Sequence, residues 1–238
     1  MNIVISQPMF FPWIGMFEQI KLADIFVHYD DVQFSKGSFS NRVQIKSPGG
    51  LCWLTVPLRK FKLGTPINEI LINDDKNWRE KHIATLTRCY KNSVFVEDML
   101  DIVTDVYSQP YEHLKDLCLL STAKVCQYLN LNPDLLQMNS SDMGIGGTSS
   151  KRVLNTVKKL KGQQYITGLG AKNYLAHQDF EASGIDVMYM NYKKNEYSQL
   201  HGAFTPYVSI LDAIANVGPQ SQQLINSNTI FWKEFIDG

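Results

Sequence analysis

The first 34 residues constrain the fold most strongly, because they place a strand, a helix and a second strand in immediate succession. Residues 2–6 (NIVIS) are a short apolar run that ends before a proline, as a buried strand does. Residues 13–23 (WIGMFEQIKLA) carry apolar side chains at helical spacing, and Pro12 stands at their start. Residues 24–34 (DIFVHYDDVQF) return to a β-type run. This βαβ unit needs a crossover connection and therefore predicts a parallel sheet.

Strand patterns recur towards the other end of the chain. Residues 163–168 (QQYITG) are a strand that ends in the glycine turn GLGAKNYL, and residues 185–192 (IDVMYMNY) are a further strand. Residues 209–218 (SILDAIANVG) are a helix that ends at a glycine. These patterns predict an α/β fold with a mainly parallel, Rossmann-like sheet formed by both ends of the chain.

The middle of the chain has a different pattern. Residues 41–58 contain VQIK and CWLTV joined by Ser-Pro-Gly-Gly, which is a hairpin signal, and residues 66–72 (PINEILI) are a candidate further strand. Residues 77–129 have helical periodicity. Residues 139–149 (NSSDMGIGGTS) are a polar, glycine-rich loop, and residues 151–161 resume a helix.

We therefore predict one domain over residues 1–238, with a β-hairpin insertion over 41–75 and a helical subdomain, acting as a cap, over 77–140. A chain of 238 residues is long enough to bury a sizeable core. No internal repeat or low-complexity linker divides it.

Composition limits the classes of partner and compartment. The 23 basic and 23 acidic residues cancel, so a general electrostatic attraction to nucleic acid is not indicated, although a local basic patch is compatible with the balance. No stretch approaches the ~18 apolar residues of a membrane span, and the start lacks the basic residues of a signal peptide. The four cysteines show no CxxC spacing. We expect a bacterial cytoplasmic protein without membrane insertion, metal or cofactor.

Four clusters of candidate functional residues follow predicted strands. These are Gln7 with the FFPWIG turn, residues 28–36, residues 168–171 and residues 192–199. Ligands of open α/β sheets bind beyond the carboxyl ends of the strands. The clusters therefore predict a single pocket.

The first turn invites comparison with nucleotidyltransferases, in which a similar turn leads into a helix carrying HxGH. Residues 13–16 here read Trp-Ile-Gly-Met, so both phosphate-polarising histidines are missing and adenylyl transfer is not expected. Gly15 could serve close packing of the helix on the strand. The GLGAK turn could offer backbone N–H groups to an anion, or it could be a plain tight turn, since it lacks the full GxGxxG and P-loop patterns.

Two further groups of side chains are candidates for chemistry. Lys36, Asn41 and Arg42 could hold a diphosphate, or they could belong to a solvated loop. Trp78 and His82 lie four residues apart on one helix face, which would suit a stacking indole beside a general base. The alternative for His82 is a structural histidine. The acidic pair at residues 30–31 is more typical of a strand end than of a metal site.

Several motifs together resemble the WbqC-like family, whose members occur in gene clusters for bacterial O-antigen and surface polysaccharide. QPMFFPWIGMF resembles the family's QPxYFPWxGxF pattern, and VQFSKGSFSNRVQIK resembles its Q[FY]xKxxxxNR element. WREKH, YITGLGAKNYL and YSQLHGAFTPYVSILDAIANVG resemble later blocks. Met16 stands where an aromatic residue is usual. The resemblance points to these site residues: Gln7, Trp13, Lys36, Asn41, Arg42, Trp78, His82, Tyr165, Gly168, Gly170, Tyr174, Tyr197, Gln199 and Asp212.

The resemblance implies an aminoacyl transferase, using glycine or another amino acid, or an acyl transferase, that forms an amide on a nucleotide-linked amino sugar. In this hypothesis Lys36 and Arg42 hold the diphosphate, and Trp13 or Trp78 stacks on the base or sugar. His82 takes the proton of the attacking amine, and Asn41 or Gln7 stabilises the oxyanion.

The donor is left open. A charged tRNA or a carrier thioester would need no ATP, whereas a free amino acid would need activation for which no recognised ATP site is present. A sugar-nucleotide glycosyltransferase, which would lack a DxD motif here, and a non-catalytic nucleotide-sugar binding protein are the alternatives. A homodimer is an open alternative to a monomer.

Overall fold

A central sheet organises the protein, which is described here by a computed structural model covering residues 1–237. The strands in chain order are β1 (Asn2–Ser6), β2 (Ile25–His28), β3 (Arg42–Ser47), β4 (Gly50–Thr55), β5 (Leu136–Asn139), β6 (Gln164–Thr167), β7 (Asp186–Asn191) and β8 (Asn228–Phe231).

Six of these strands form the main sheet in the order β5-β2-β1-β6-β7-β8. All neighbours are parallel except β7 and β8, which are antiparallel. The predicted α/β fold with a mainly parallel, Rossmann-like sheet is confirmed. Strand β5 was not predicted, and it joins the sheet from within the range assigned to the helical cap. The order reverses between β1 and β6, so the carboxyl ends of these two strands border the crevice in which such sheets bind ligands.

Helices cover the sheet on both faces. They are α1 (Ile14–Leu22), α2 (Trp78–Tyr90), α3 (Val96–Tyr107), α4 (Leu114–Tyr128), α5 (Ser149–Lys159), α6 (His177–Glu181), α7 (Ile210–Val217), α8 (Ser221–Leu224) and α9 (Trp232–Asp237). The periodicity over residues 77–129 thus corresponds to α2, α3 and α4. Helix α1 begins one residue later than predicted, so Trp13 precedes it and Pro12 lies outside the first turn.

The middle segment forms the predicted hairpin. Strands β3 and β4 pair in antiparallel register, with Ser47 opposite Gly50 at the turn. The prediction of a further strand over residues 66–72 is wrong, because the chain there forms a short 3-10 helix at Ile67–Glu69 and only isolated bridges. Pro66 has no N–H to donate to a strand ladder, which favours this irregular path.

The core has two parts because β1 is buried on both faces. Val4 packs with the larger cluster, which includes side chains of α1 to α4, α7 and the hairpin. Ile3 and Ile5 point the other way, into the cluster that contains Val153 of α5 and Phe180 of α6. Among residues 1–237, no helix combines the length and the apolar character needed to cross a membrane.

Candidate functional site

A cavity of about 570 Å³ lies at the point where the strand order reverses. Its walls include residues at the ends of the sheet strands, namely Ser6 at the end of β1, Gln7 after β1, Tyr29 after β2, Gly168 after β6 and Tyr192 after β7. A parallel sheet brings these positions to one edge even though they are far apart in the sequence. The volume is within the roughly 300–1,000 Å³ that is usual for small-molecule sites.

Trp13 forms an aromatic wall of this cavity. Its ring centroid lies 4.9 Å from that of Tyr192 and 5.8 Å from that of Tyr207. A Cβ atom at Gly15 would fall 2.3 Å from two carbons of the Trp13 indole. Gly15 therefore leaves space for the indole, whereas the sequence suggested close packing of helix and strand.

The cavity wall contains polar groups that are neutral at physiological pH. Gln19 donates a hydrogen bond to the Tyr192 hydroxyl at 2.9 Å. Burial raises the pKa values of Tyr29, Tyr174 and Tyr192 above the usual value for tyrosine. Gln7, Ser149 and Thr167 add amide and hydroxyl groups. No lining residue is an acid, a lysine, an arginine or a histidine in the part of the chain that the structure describes.

The acidic pair after β2 supports the cavity from outside. Asp31 is ion-paired with Arg152 of α5, whose guanidinium lies 5.2 Å from the centroid of the Tyr29 ring. Asp30 is fully buried, and it accepts hydrogen bonds from Ser141 N at 3.0 Å and from the Ser141 hydroxyl at 2.8 Å. These contacts hold the loop before α5 against β2 and so place Ser149 in the cavity wall.

Burial alone would raise the pKa of Asp30. The hydrogen bonds from Ser141 and Ser140, together with the charge of Lys115 at 3.4 Å, lower it below its usual value. Within residues 1–237, no three side chains of His, Cys, Asp or Glu are grouped so that they could hold a metal ion.

Several site residues named from the sequence lie on this cavity. These are Gln7, Trp13, Gly168, Gly170 and Tyr174. Tyr165 lies beneath the floor, where its buried hydroxyl donates to the Thr167 hydroxyl at 3.2 Å. A Cβ at Gly168 would be 3.4 Å from the Tyr192 hydroxyl, so a side chain there would narrow the cavity.

Tyr197, Gln199 and Asp212 belong to a separate buried network. Asp212 accepts hydrogen bonds from the hydroxyls of Tyr90 at 2.7 Å and Tyr197 at 2.8 Å. The Lys46 ammonium donates to Gln199 Oε1 at 3.2 Å and to the Ala203 carbonyl at 2.7 Å. This network fastens the loop between β7 and α7 to the outer face of β3. The contact of Tyr197 and Gln199 with substrate stays a prediction, and in the structure both side chains form hydrogen bonds within this network.

His82 and Trp78 lie in the core between α2 and α3, away from the cavity lining. His82 is 7% exposed, and its Nδ1 is hydrogen-bonded to the Tyr107 hydroxyl at 2.9 Å. Burial lowers the pKa of His82 to about 4, although a hydrogen bond with the Thr55 backbone acts in the opposite direction. Trp78 packs edge-on against the rings of His82 and Tyr107. The role of His82 as a base stays a prediction, and this geometry is that of a structural histidine.

Lys36, Asn41 and Arg42 lie on the hairpin side of the molecule and are not part of the cavity lining. Lys36 Nζ is 5.5 Å from the centroid of the Phe61 ring, and Arg42 Nε donates to the Gly37 carbonyl at 2.9 Å. The Asn41 amide donates to the Val56 carbonyl at 3.1 Å. Their roles with a diphosphate or an oxyanion stay predictions.

Sequence reasoning did not single out several cavity residues. Gln19, Ser149, Thr167 and the ring of Tyr29 line the cavity without belonging to the named site residues. Tyr29 was within a predicted strand-end cluster, so proximity to a strand end was the available signal. Ser149 ends a glycine-rich loop and is the first residue of α5, the helix whose Arg152 is ion-paired with Asp31.

The model of the WbqC-like protein family matches residues 7–224, which include the first turn from Gln7 onwards and all the cavity-lining residues except Ile5 and Ser6. The chain belongs to the WbqC-like protein family. This WbqC-like chain is also 32% identical over 225 residues to the uncharacterized protein Rv1507c of Mycobacterium tuberculosis, covering 92% of the chain and 95% of that relative. No solved structure gives a significant match.

Proposed function

We propose that this WbqC-like protein is a transferase that forms an amide on the amino group of a nucleotide-linked amino sugar in bacterial surface-polysaccharide synthesis. The donor is an activated aminoacyl group, such as glycyl, or another activated acyl group. The observation that carries the proposal is the cavity at the reversal of strand order, with an aromatic wall and neutral polar groups. Such walls suit a planar base and the hydroxyl groups of a sugar.

The neutral lining also suits an amine nucleophile. A carboxylate close to the amine would favour its protonated form, which cannot attack a carbonyl group. The described lining contains no carboxylate, and its tyrosines are uncharged at neutral pH. In this proposal Trp13 stacks on the base or sugar, and the Gln7 amide donates a hydrogen bond to the developing oxyanion.

Mass spectrometry of reactions with a panel of nucleotide-linked amino sugars tests the proposal. Each sugar is incubated with a charged tRNA, a carrier thioester, or an amino acid with ATP. A mass gain equal to an aminoacyl or acyl group supports the proposal. Release of the free nucleotide with transfer of the sugar to an acceptor would support a glycosyltransferase, and binding without conversion would support a binding protein.

Two variants sharpen this experiment. Gln7→Leu keeps the size of the side chain near that of glutamine but removes the amide donor, and it should lower the rate by about 10²-fold or more if the amide stabilises the oxyanion. Gln109→Leu is the matched control, because Gln109 is exposed between α3 and α4. Equal transfer rates for the two variants would show that the Gln7 amide does not stabilise the oxyanion.

A further inference from the structure

Positive charge is concentrated in one part of a chain that is neutral as a whole. Residues 32–68 contain six lysines and arginines and no aspartate or glutamate, which leaves 17 basic and 23 acidic residues for the rest of the chain. The segment runs from the end of the β2 region through the hairpin to the 3-10 helix. Such a local excess is the electrostatic pattern of a surface that binds polyanions.

Most of these cations are accessible. Lys46 is buried in the network with Gln199, but Lys36, Lys60 and Lys62 are exposed and Arg42 is half-buried. Each ion pair found within residues 1–237 involves other cations. Their charges are therefore free to act on a ligand.

Aromatic rings are exposed among these cations. Phe39 is 45% exposed and Trp53 is 40% exposed, with their ring centroids 5.9 Å apart. The Arg42 guanidinium lies 4.1 Å from the centroid of the Trp53 ring. Trp53 stands on the outward face of β4, opposite Gln44 of β3. An exposed indole with an arginine stacked on it is a suitable platform for nucleic-acid bases.

The cations and the rings form one continuous surface. Arg42 donates a hydrogen bond to the Gly37 carbonyl. Lys36, which precedes Gly37 in the chain, lies over the ring of Phe61. Phe61 stands between Lys60 and Lys62 in the sequence. We call this the cationic surface, and it consists of Lys36, Phe39, Arg42, Trp53, Lys60 and Lys62.

The backbone connects the cationic surface to segments that line the cavity. Phe10 N donates a hydrogen bond to the Phe39 carbonyl at 3.1 Å, and the preceding residue, Met9, lines the cavity. Val32, also in the lining, is only four residues before Lys36. A strand lying on the surface could therefore place its end at the cavity.

We propose that the cationic surface binds the single-stranded 3′ end of a charged tRNA, which is the acyl donor for the reaction in the cavity. The identity of this RNA rests on the function proposed above. Single strands bind proteins through phosphate contacts with lysine and arginine and through stacking of bases on aromatic side chains, and the surface offers both. Its small area fits a short 3′ end without requiring a basic protein.

The chemistry with this donor is balanced. The aminoacyl group is joined by an ester to a ribose hydroxyl of the terminal nucleotide. The neutral sugar amine attacks the ester carbonyl, the C–N bond forms and the C–O bond breaks. The proton lost by nitrogen goes to the ribose oxygen, which leaves as a hydroxyl group, so the transfer needs no ATP.

Fluorescence anisotropy with an RNA hairpin carrying a four-nucleotide single-stranded 3′ extension tests the surface without any sugar. We expect binding that weakens with salt, and at least tenfold weaker binding of the same hairpin with a blunt end. Trp53→Ala should weaken binding of the extended hairpin by about tenfold. Equal affinity for the two hairpins, or no binding of either, would overturn the proposal.

Charge neutralisation provides an independent test. The triple variant Lys36→Gln, Lys60→Gln and Lys62→Gln should weaken binding at least tenfold and reduce the salt slope by about two, since each contact with a single strand contributes about 0.7. The matched control neutralises the exposed Lys91, Lys158 and Lys161, which lie outside the segment. Equal affinities for the two triple variants would refute the assignment of the surface.

Failure of this inference is distinguishable from failure of the proposed function. Transfer from a carrier thioester together with absence of RNA binding would overturn the RNA surface and leave the amide-forming transferase in place. RNA binding with the expected losses in the variants, together with no transfer from any donor, would support the RNA surface and overturn the transferase.

Discussion

The indole of Trp13 occupies the space that a side chain at Gly15 would need, since a Cβ there would lie 2.3 Å from the ring carbons. A residue of the first turn and a residue of α1 thus determine together the shape of the cavity wall. The proline-rich turn after β1 carries Gln7, Met9 and Trp13 into the cavity, so its apolar character serves a binding site as well as the core.

Gly15→Ala should displace the indole of Trp13 from the cavity wall. Because the clashing atoms are the far end of a side chain, we expect the ring to rotate away with a loss of stability near 1 kcal/mol. Affinity for a nucleotide-linked sugar, measured by calorimetry, should fall as it does in Trp13→Ala. The control is Gly146→Ala, since an added Cβ there meets no atom within 4 Å. If Gly15→Ala kept the wild-type affinity for the nucleotide-linked sugar, the position of the Trp13 ring would not matter for binding.

His82 should make the stability of the protein depend on pH. Its pKa falls from the ordinary 6.5 to about 4 in the folded chain, so the unfolded chain takes up a proton first as the pH is lowered. Stability should therefore decrease from pH 6.5 to pH 4, by up to ~3 kcal/mol. Urea unfolding across this range should show a weaker pH dependence for His82→Gln than for the wild type. An unchanged dependence would contradict the burial of a neutral imidazole.

The same variant tests the predicted role of His82 in catalysis. We expect His82→Gln to keep its transfer rate per folded molecule, since His82 is bonded to Tyr107 and does not line the cavity. The rate is measured at a pH well above the pKa of the sugar amine, and it is normalised to the fraction of the protein that is folded. A loss of 10²-fold or more would restore His82 as the general base. His201→Gln is the control for substitution of a histidine outside the cavity lining.

Tyr197→Phe should reduce stability more than it reduces ligand affinity. The Tyr197 hydroxyl donates to the buried Asp212 and accepts from the Gln199 amide at 2.8 Å, so its removal leaves buried polar groups short of a partner. We expect a loss of about 1–3 kcal/mol in the free energy of unfolding. Tyr207→Phe is the control, because Tyr207 is 51% exposed. A large loss of sugar affinity with unchanged stability would favour the predicted contact with substrate.

Asp30 should support stability only above strongly acidic pH. Its pKa is lowered in the folded chain, so its contribution is complete above the usual value of 3.8 and is lost as the pH falls through the folded value. The difference in unfolding free energy between the wild type and Asp30→Asn should be constant from pH 5 to pH 8 and should shrink below pH 4. A difference that grows with acidity would contradict the hydrogen bonding described for Asp30.

Local patterns in the sequence were sufficient for most elements of the fold. The apolar runs, the helical spacing of α1 to α4 and the Ser-Pro-Gly-Gly turn of the hairpin each reflect interactions between near neighbours. Strand β5 escaped prediction because it is a short edge strand with its first two residues exposed, so it has little apolar signal. The strand that PINEILI suggested does not form, because Ile67–Glu69 within it is a 3-10 helix that follows Pro66.

The parallel sheet and the group of strand ends that carry Gln7, Gly168 and Gly170 could be predicted from the sequence alone, because they follow from chain direction and local pattern. Which polar residues are free to meet a ligand depends instead on the tertiary structure. Asp212 accepts hydrogen bonds from the hydroxyls of Tyr197 and Tyr90, and His82 is hydrogen-bonded to Tyr107, a residue 25 positions away. Such partners lie on segments that are distant in the sequence, so the local spacing of residues does not reveal them.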